Sequence, residues 1–108
     1  MEKRVRLNLL LDFYGALLTP HARELMRMYL EEDLSLQEIA EASGVSRQAV
    51  HDSVNRSEKQ LTEYEERLGL LKRFDALRRQ TEECKQELIS AREALLRAEA
   101  LLAAMKDA

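Results

Sequence analysis

Apolar residues recur at spacings of three and four near the start of the chain, a pattern typical of one face of an amphipathic helix. The residues on this face are Leu7, Leu10, Leu11, Tyr14, Leu17 and Leu18. Thr19 and Pro20 then mark the start of a second helix, because Thr caps helices and Pro fits their first position. This helix is expected to end at residues 31–33, where three acids oppose the helix dipole. The residues that it is expected to bury are Ala22, Leu25, Met26 and Tyr29.

Capping residues indicate two further helices. Ser35 and Glu38 have the spacing of a capping box, which predicts a short third helix that ends at Ser43 and Gly44. Glycine readily adopts the left-handed conformation that a tight turn between helices requires. Ser46 caps a fourth helix. The residues on its inner face are expected to be Ala49, Val50, Val54, Leu61, Tyr64 and Leu68.

In the last third of the chain the apolar spacing alternates between three and four without a break, which is a heptad pattern. This seam consists of Phe74, Leu77, Thr81, Cys84, Leu88, Ala91, Leu95, Ala98, Leu102 and Met105. Because no Pro or Gly follows Gly69, residues 70–105 are expected to form one helix about 50 Å long. We favour a homodimer through this seam, in which Glu87 and Arg92 can pair between parallel chains. Antiparallel pairing, and packing of this helix back along residues 7–18, remain open.

Residues 34–59 carry the pattern of a helix-turn-helix. This motif needs a small residue where its two helices cross, a Gly in the turn and an apolar anchor in the second helix. Ala40, Gly44 and Val50 supply these three features. An ordinary helical hairpin, the alternative, does not require all three positions together.

The outward face of the fourth helix is the candidate nucleic-acid-binding surface. It carries Arg47, Gln48, His51, Asp52, Asn55, Arg56 and Lys59. Arg47, Arg56 and Lys59 are expected to meet phosphates. Gln48 and Asn55 have the amide geometry that reads adenine edges.

The charge around this face is modest. Residues 45–60 carry three positive and two negative charges, and the second and third helices carry six acids against two arginines. Phosphate neutralisation supplies most of the affinity for DNA, so we expect a monomer to bind weakly, with DNA favoured over RNA. The alternative is a protein–protein adaptor whose acidic face docks a basic partner.

Composition agrees with an all-α protein. The chain has 108 residues, and one Pro with three Gly cannot punctuate the many turns of a sandwich or barrel. We expect a small helix-turn-helix domain of about four helices at residues 1–69 and a long C-terminal heptad helix at residues 70–108. The single cysteine excludes an intramolecular disulfide, and no apolar run has the roughly 18 residues that span a bilayer. A cytoplasmic protein is expected.

The residues do not indicate catalysis. Two histidines, one cysteine and no Gly-rich loop give neither a zinc cluster nor a phosphate cradle. His21 and Glu24 share a helix face, but one such pair is more typical of a helix start than of an acid–base site. Cys84 lies on the seam, where a small apolar residue packs well. We therefore expect no catalytic residue, no metal and no cofactor, and a protein that is not an enzyme.

Three segments resemble one family. They are LLLDFYGALLT, DLSLQEIAEASGVSRQAVHDSVNR and LTEYEERLGLL, and together they resemble the YlxM (UPF0122) family of small bacterial proteins over roughly residues 7–74. The most specific motifs are DFYG at residues 12–15 and VSRQAV at residues 45–50. His51 stands where this family is expected to have an aromatic residue, and the heptad beyond residue 74 lies outside the resemblance.

The resemblance implies a helix-turn-helix like that of region 4 of sigma-70-type factors. It further implies a DNA-binding or regulatory role and a link to the signal recognition particle pathway. On this basis the protein is expected to act in the bacterial cytosol, as a regulator or adaptor near the GTPase of the particle or its RNA.

Overall fold

The computed structural model describes residues 2–107, which form five α-helices and no strand. The helices are α1 (Lys3–Tyr14), α2 (Pro20–Leu30), α3 (Leu36–Ser43), α4 (Arg47–Leu68) and α5 (Leu70–Lys106), with one turn of 3₁₀ helix at Gly15–Leu17. The chain divides into two units, residues 1–71 and residues 72–108. The expected all-α fold with a long C-terminal helix is confirmed.

The predicted helix starts are confirmed by their capping contacts. The Thr19 side chain accepts a hydrogen bond from the backbone N–H of Ala22, and Pro20 occupies the first position of α2. Ser35 and Glu38 form the reciprocal capping box of α3. These local contacts satisfy backbone donors that the helix itself leaves unpaired.

The first helix is shorter than the sequence predicts. α1 ends at Tyr14, and the chain tightens into the 3₁₀ turn before Leu18 becomes extended. As a result Leu18 is buried but Leu17 is 55 % exposed, so the expected burial of Leu17 is wrong. Thr19 directly precedes Pro20 and is extended, because a proline disfavours the helical conformation in the residue before it. The chain must therefore leave α1 before α2 begins, which gives a physical reason for the early end.

The core of the first unit lies between α1, α2, α3 and α4. Its buried apolar residues are Leu7, Leu10, Leu11, Tyr14, Leu18, Leu25, Met26, Leu30, Ile39, Ala40, Val50, Val54, Leu61 and Leu71. On α4 the expected inner face is partly wrong, because Ala49 and Leu68 are exposed whereas Ser57 and Glu65 are buried. On α2, Leu25 and Met26 are buried as expected, and Ala22 and Tyr29 are half-buried.

A buried polar contact joins the ends of α1 and α4. The Tyr14 hydroxyl donates to Glu65 Oε1 at 2.7 Å and accepts the backbone N–H of Leu70 at 3.0 Å. The same Glu65 oxygen accepts the N–H of Leu71 at 2.9 Å. Burial and the hydrogen bond to Glu65 raise the pKa of Tyr14 above its usual value. These two side chains therefore satisfy backbone donors at the start of α5, where a carboxylate is also favoured by the helix dipole.

The second unit consists of the rest of α5. This 37-residue helix spans about 55 Å. Every side chain from residue 76 to residue 107 is exposed, including the leucines of the heptad seam. Among residues 2–107, no helix combines the length and the apolar character needed to cross a membrane.

Candidate nucleic-acid interface

The helix-turn-helix is formed by α3, a short turn and α4. Ile39, Ala40 and Val50 are buried at the crossing of the two helices, and Val45 in the turn is half-buried. Gly44 has a φ of +72°, and a Cβ built there would meet nothing within 4 Å. The turn therefore requires glycine for its backbone conformation rather than for space, as the sequence predicts.

The start of α4 is fixed by Ser46, whose side chain accepts the backbone N–H of Ala49 at 3.1 Å. In helix-turn-helix proteins, side chains from the first turns of the second helix reach base edges in the major groove. Arg47, Gln48 and His51 occupy this region and, together with Leu36 of α3, line a shallow surface depression. The positive end of the α4 dipole lies at the same place, which favours an anion here.

All the predicted contact residues on α4 are exposed: Arg47, Gln48, His51, Asn55, Arg56 and Lys59. With about 100° between successive residues, five of them share a face about 120° wide. Arg56 lies at the edge of this face, at about 180° from Arg47. The structure thus brings the first five together and leaves Arg56 as a flanking position.

An internal network joins polar residues of this face to Asp52, which lies at its edge, about 140° from Arg47. Gln48 Nε2 donates to Asp52 Oδ1 at 2.9 Å, and His51 Nδ1 lies 3.5 Å from the same oxygen. Asn55 Nδ2 lies 3.4 Å from His51 Nε2. The network holds the polar side chains in place, but Asp52 also occupies one donor of Gln48 and brings a negative charge into the face.

A groove beside this face contains two further basic residues, which come from α1. Lys3 and Arg6 of α1 line it together with Asn55 and Lys59 of α4. The acids Glu58, Glu63 and Glu66 line the same groove. Lys3 Nζ lies 4.0 Å from Glu58 Oε1, so part of its charge is already balanced. The N-terminal cluster of cations is visible in the sequence, but only the packing of α1 on α4 brings it next to the candidate face.

The surface of α2 and the loop after it is acidic. Arg27 donates two hydrogen bonds to Glu24, at 2.6 and 2.9 Å, and one to Glu32 at 2.9 Å. The bond to Arg27 holds the pKa of the Glu24 carboxyl below its usual value. Glu24 therefore pairs with Arg27 in this structure, and Arg27 is engaged by acids of its own neighbourhood.

Arg4 anchors the loop that follows α2. It donates to the backbone oxygen of Tyr29 and to Asp33 Oδ1, and its guanidinium lies 5.3 Å from the centre of the Tyr29 ring. Asp33 has a φ of +56° in this loop. Within residues 2–107, no three His, Cys, Asp or Glu side chains are grouped so as to hold a metal ion.

Comparison with known proteins extends the resemblance seen in the sequence. Residues 1–100 match the family model UPF0122, described as "Putative helix-turn-helix protein, YlxM / p13 like". A UPF0122 protein of Symbiobacterium thermophilum is 51% identical over 107 residues, covering 93% of this chain and 100% of the relative. One from Geobacillus kaustophilus is 51% identical over 92 residues, covering 85% of this chain and 83% of the relative. The matched range therefore includes most of α5, beyond the residues 7–74 inferred from sequence motifs.

Proposed function

Because this chain belongs to the UPF0122 family of YlxM/p13-like helix-turn-helix proteins, we propose that it is a non-enzymatic regulator that binds nucleic acid through the outer face of α4. The observation that carries this proposal is the complete helix-turn-helix, with Ile39, Ala40 and Val50 buried and the polar residues of α4 exposed. The relatives are bacterial, and the proposed location is the bacterial cytoplasm.

The side chains of this face suit different contacts. Arg47 and Lys59, at opposite ends, supply charge for phosphates, and Arg56 adds a flanking contact. Gln48 and Asn55 supply amides for base edges, and His51 lies between them. The convex second helix of the motif fits the major groove of B-form DNA, so DNA is favoured over RNA as the target.

A homodimer is part of the proposal, because the charge of one copy is small. Residues 45–60 have three positive charges against two negative ones, which gives few phosphate contacts per chain. The apolar seam of α5 is exposed along its length and has the heptad spacing of a helix-pairing surface. Two copies joined through α5 would double the contacts and raise the effective affinity.

The proposal is tested by titrating salt against binding to duplex DNA. The doubly substituted variant Arg47→Ala with Lys59→Ala is expected to bind more weakly than the unaltered protein. If both residues contact phosphates, the slope of log affinity against log salt becomes shallower by about 2 per bound copy, and by about 4 for a dimer with both faces engaged. A matched control removes two cations from outer positions of α5, Arg79→Ala with Arg97→Ala, and is expected to leave the slope unchanged. Absence of salt-sensitive binding, or equal losses in both double variants, would contradict the proposal.

The second candidate is an adaptor that binds a component of the signal recognition particle. It is favoured by the acidic surface of α2 and its following loop, where Arg27 is engaged by Glu24 and Glu32. Such a surface repels phosphates and suits a basic protein. Separate pull-downs with the GTPase of the particle and with its RNA distinguish the two candidates. The adaptor would be favoured if the unaltered protein captures the GTPase, if the Glu31→Lys variant does not, and if the unaltered protein does not bind DNA.

A further inference from the structure

The heptad seam of α5 has two kinds of position that differ in size. The first of each heptad (position a) is occupied by Phe74, Thr81, Leu88, Leu95 and Leu102. The fourth (position d) is occupied by Leu77, Cys84, Ala91, Ala98 and Met105. Along the middle of the helix, large leucines at a therefore alternate with small residues at d, and all of them are exposed.

This size pattern does not suit two parallel helices. In a parallel pair each residue faces its own copy, so layers of two leucines would alternate with layers of two alanines or two cysteines. Leucine layers push the helix axes apart, and the small layers between them would then leave voids. Parallel two-stranded seams instead favour a β-branched residue at a and Leu at d. Neither preference is met between residues 84 and 102.

Two antiparallel helices mix the two sizes in the layers at the centre of the seam, which a parallel pair cannot do. In that orientation position a of one copy faces position d of the other, so each central layer combines one large and one small residue. Resting on the homodimer proposed above, we infer that two copies pair through α5 in an antiparallel orientation. The two-fold axis passes between residues 89 and 90.

This register is set by overlap. It pairs residue 72 of one copy with residue 107 of the second copy, so that the whole of the second unit is used. The resulting layers are Leu88 with Ala91, Leu95 with Cys84, Thr81 with Ala98, Leu77 with Leu102, and Phe74 with Met105. A shift of one heptad in either direction leaves apolar residues at one end without a facing residue. The seam and its flanking positions contribute about 20 residues per copy, as a standard stable interface does.

The charges that flank the seam do not favour the parallel orientation over the antiparallel one. The antiparallel pair brings Arg78 close to Glu99 of the second copy, and Lys85 close to Arg92 of the second copy. The parallel pair would bring Glu87 close to Arg92 of the second copy, and Arg73 close to Arg78 of the second copy. Each orientation thus has one favourable and one unfavourable contact at exposed positions, where ion pairs contribute little. The packing of the seam decides between them.

The single cysteine makes the orientation measurable. In a parallel pair the two copies of Cys84 share one layer, within the Cα separation of about 4.4–6.8 Å that a disulfide needs. In the antiparallel pair they are offset by 11 residues, about 16 Å along the axis. Cys84 then faces Leu95 of the second copy. Mild oxidation of the full-length protein, read on a non-reducing gel, is therefore expected to leave the unaltered protein uncrosslinked and to convert Leu95→Cys into a disulfide-linked dimer.

A matched control is Leu102→Cys, another leucine of the same seam position. In the antiparallel pair its new thiol lies about 37 Å from its own copy and about 10 Å from Cys84 of the second copy, so no crosslink is expected. In a parallel pair it would crosslink with itself. Crosslinking of the unaltered protein, in which Cys84 is the only thiol, would overturn the antiparallel orientation. Crosslinking of Leu102→Cys but not of the unaltered protein would instead overturn the register, because a shift of one heptad brings residue 102 opposite Cys84 of the second copy.

A second pair of variants tests the register without changing any leucine. In a Cys84→Ala background, Thr81→Cys and Ala98→Cys are made as separate proteins. Only the mixture of the two is expected to crosslink, whereas crosslinking of either protein alone would indicate parallel chains. Sedimentation of each protein gives its oligomeric state independently. A monomer overturns both this inference and the proposed homodimer, whereas a dimer with the wrong crosslinks overturns the orientation and leaves the homodimer standing.

Discussion

The Tyr14 hydroxyl is expected to stabilise the first unit strongly, because it takes part in two buried or partly buried hydrogen bonds. It donates to Glu65 Oε1 at 2.7 Å and accepts the N–H of Leu70 at 3.0 Å, and Tyr14 itself is only 1 % exposed. A hydrogen bond to a charged group contributes about 1.5–3 kcal/mol and a neutral one about 0.5–1.5 kcal/mol. The substitution Tyr14→Phe removes both while keeping the ring in the core. We expect it to lower the free energy of unfolding by about 2–4 kcal/mol.

Urea unfolding followed by tyrosine fluorescence measures this loss in the relevant unit. The chain has no Trp, and its three tyrosines, Tyr14, Tyr29 and Tyr64, all lie within residues 1–71. Two of them remain in the variant as reporters. In thermal unfolding, a loss of this size corresponds to a fall of roughly 10–25 °C in the midpoint for a unit of this length.

Tyr64→Phe is the matched control for this experiment. The Tyr64 ring centre lies 6.0 Å from that of Tyr14, but its hydroxyl lies outside the network formed by Tyr14, Glu65 and the start of α5. We expect this control to change the stability by less than about 0.5 kcal/mol. If Tyr14→Phe costs no more than Tyr64→Phe, the network does not hold the ends of α1 and α4 as we argue.

Two further predictions follow from the same unit. The pKa of Tyr14 is raised in the folded state, so the hydroxyl stabilises the fold fully below pH 10, the ordinary tyrosine pKa. This stabilisation is lost as the pH rises through the pKa of the folded state. Urea unfolding between pH 9 and pH 12 should therefore show a steeper loss of stability for the unaltered protein than for Tyr14→Phe. Gly44→Ala is expected to lower the free energy of unfolding by about 1 kcal/mol, because φ at this position is +72° although the space around it is open. Gly44→Asn should lower it less, because Asn tolerates this conformation. Equal losses of stability in denaturation measurements would show that something other than φ requires the glycine.

Local sequence signals predict the helix starts well, and tertiary packing decides the rest. Ser35, Glu38 and Gly44 act on backbone atoms a few residues away, so their spacing alone fixes the start and end of α3. The contact between Tyr14 and Glu65 joins residues 51 positions apart and has no signature in either segment. The apolar spacing of α4 therefore predicts that Leu68 is buried. In the structure Leu68 is exposed, and the buried residue in the last turns of α4 is Glu65, which is hydrogen-bonded.

The candidate interface likewise has one part that helical spacing predicts and one part that depends on how the helices pack. Helical periodicity is enough to place Arg47, His51 and Lys59 on one face, because all three residues belong to the same helix, α4. The groove that adds Lys3 and Arg6 depends on how α1 packs against α4, and no periodicity within one helix contains that information. The hydrogen bond from Gln48 to Asp52, in contrast, joins side chains four positions apart on one helix, which is a contact that spacing alone can indicate.

The antiparallel pairing has a consequence for how two copies could share one nucleic acid. In parallel helices the first turns of the two α5 helices lie side by side, whereas in the inferred pair they lie at opposite ends, about 50 Å apart. Palindromic DNA sites read by compact helix-turn-helix dimers have half-sites about 34–36 Å apart. The size alternation of the α5 seam and the low charge of each α4 face therefore favour the same interpretation. On the proposed function and the proposed pairing, each copy would make a weak contact of its own, and the dimer would gain affinity through linkage of two separated contacts rather than through one compact site.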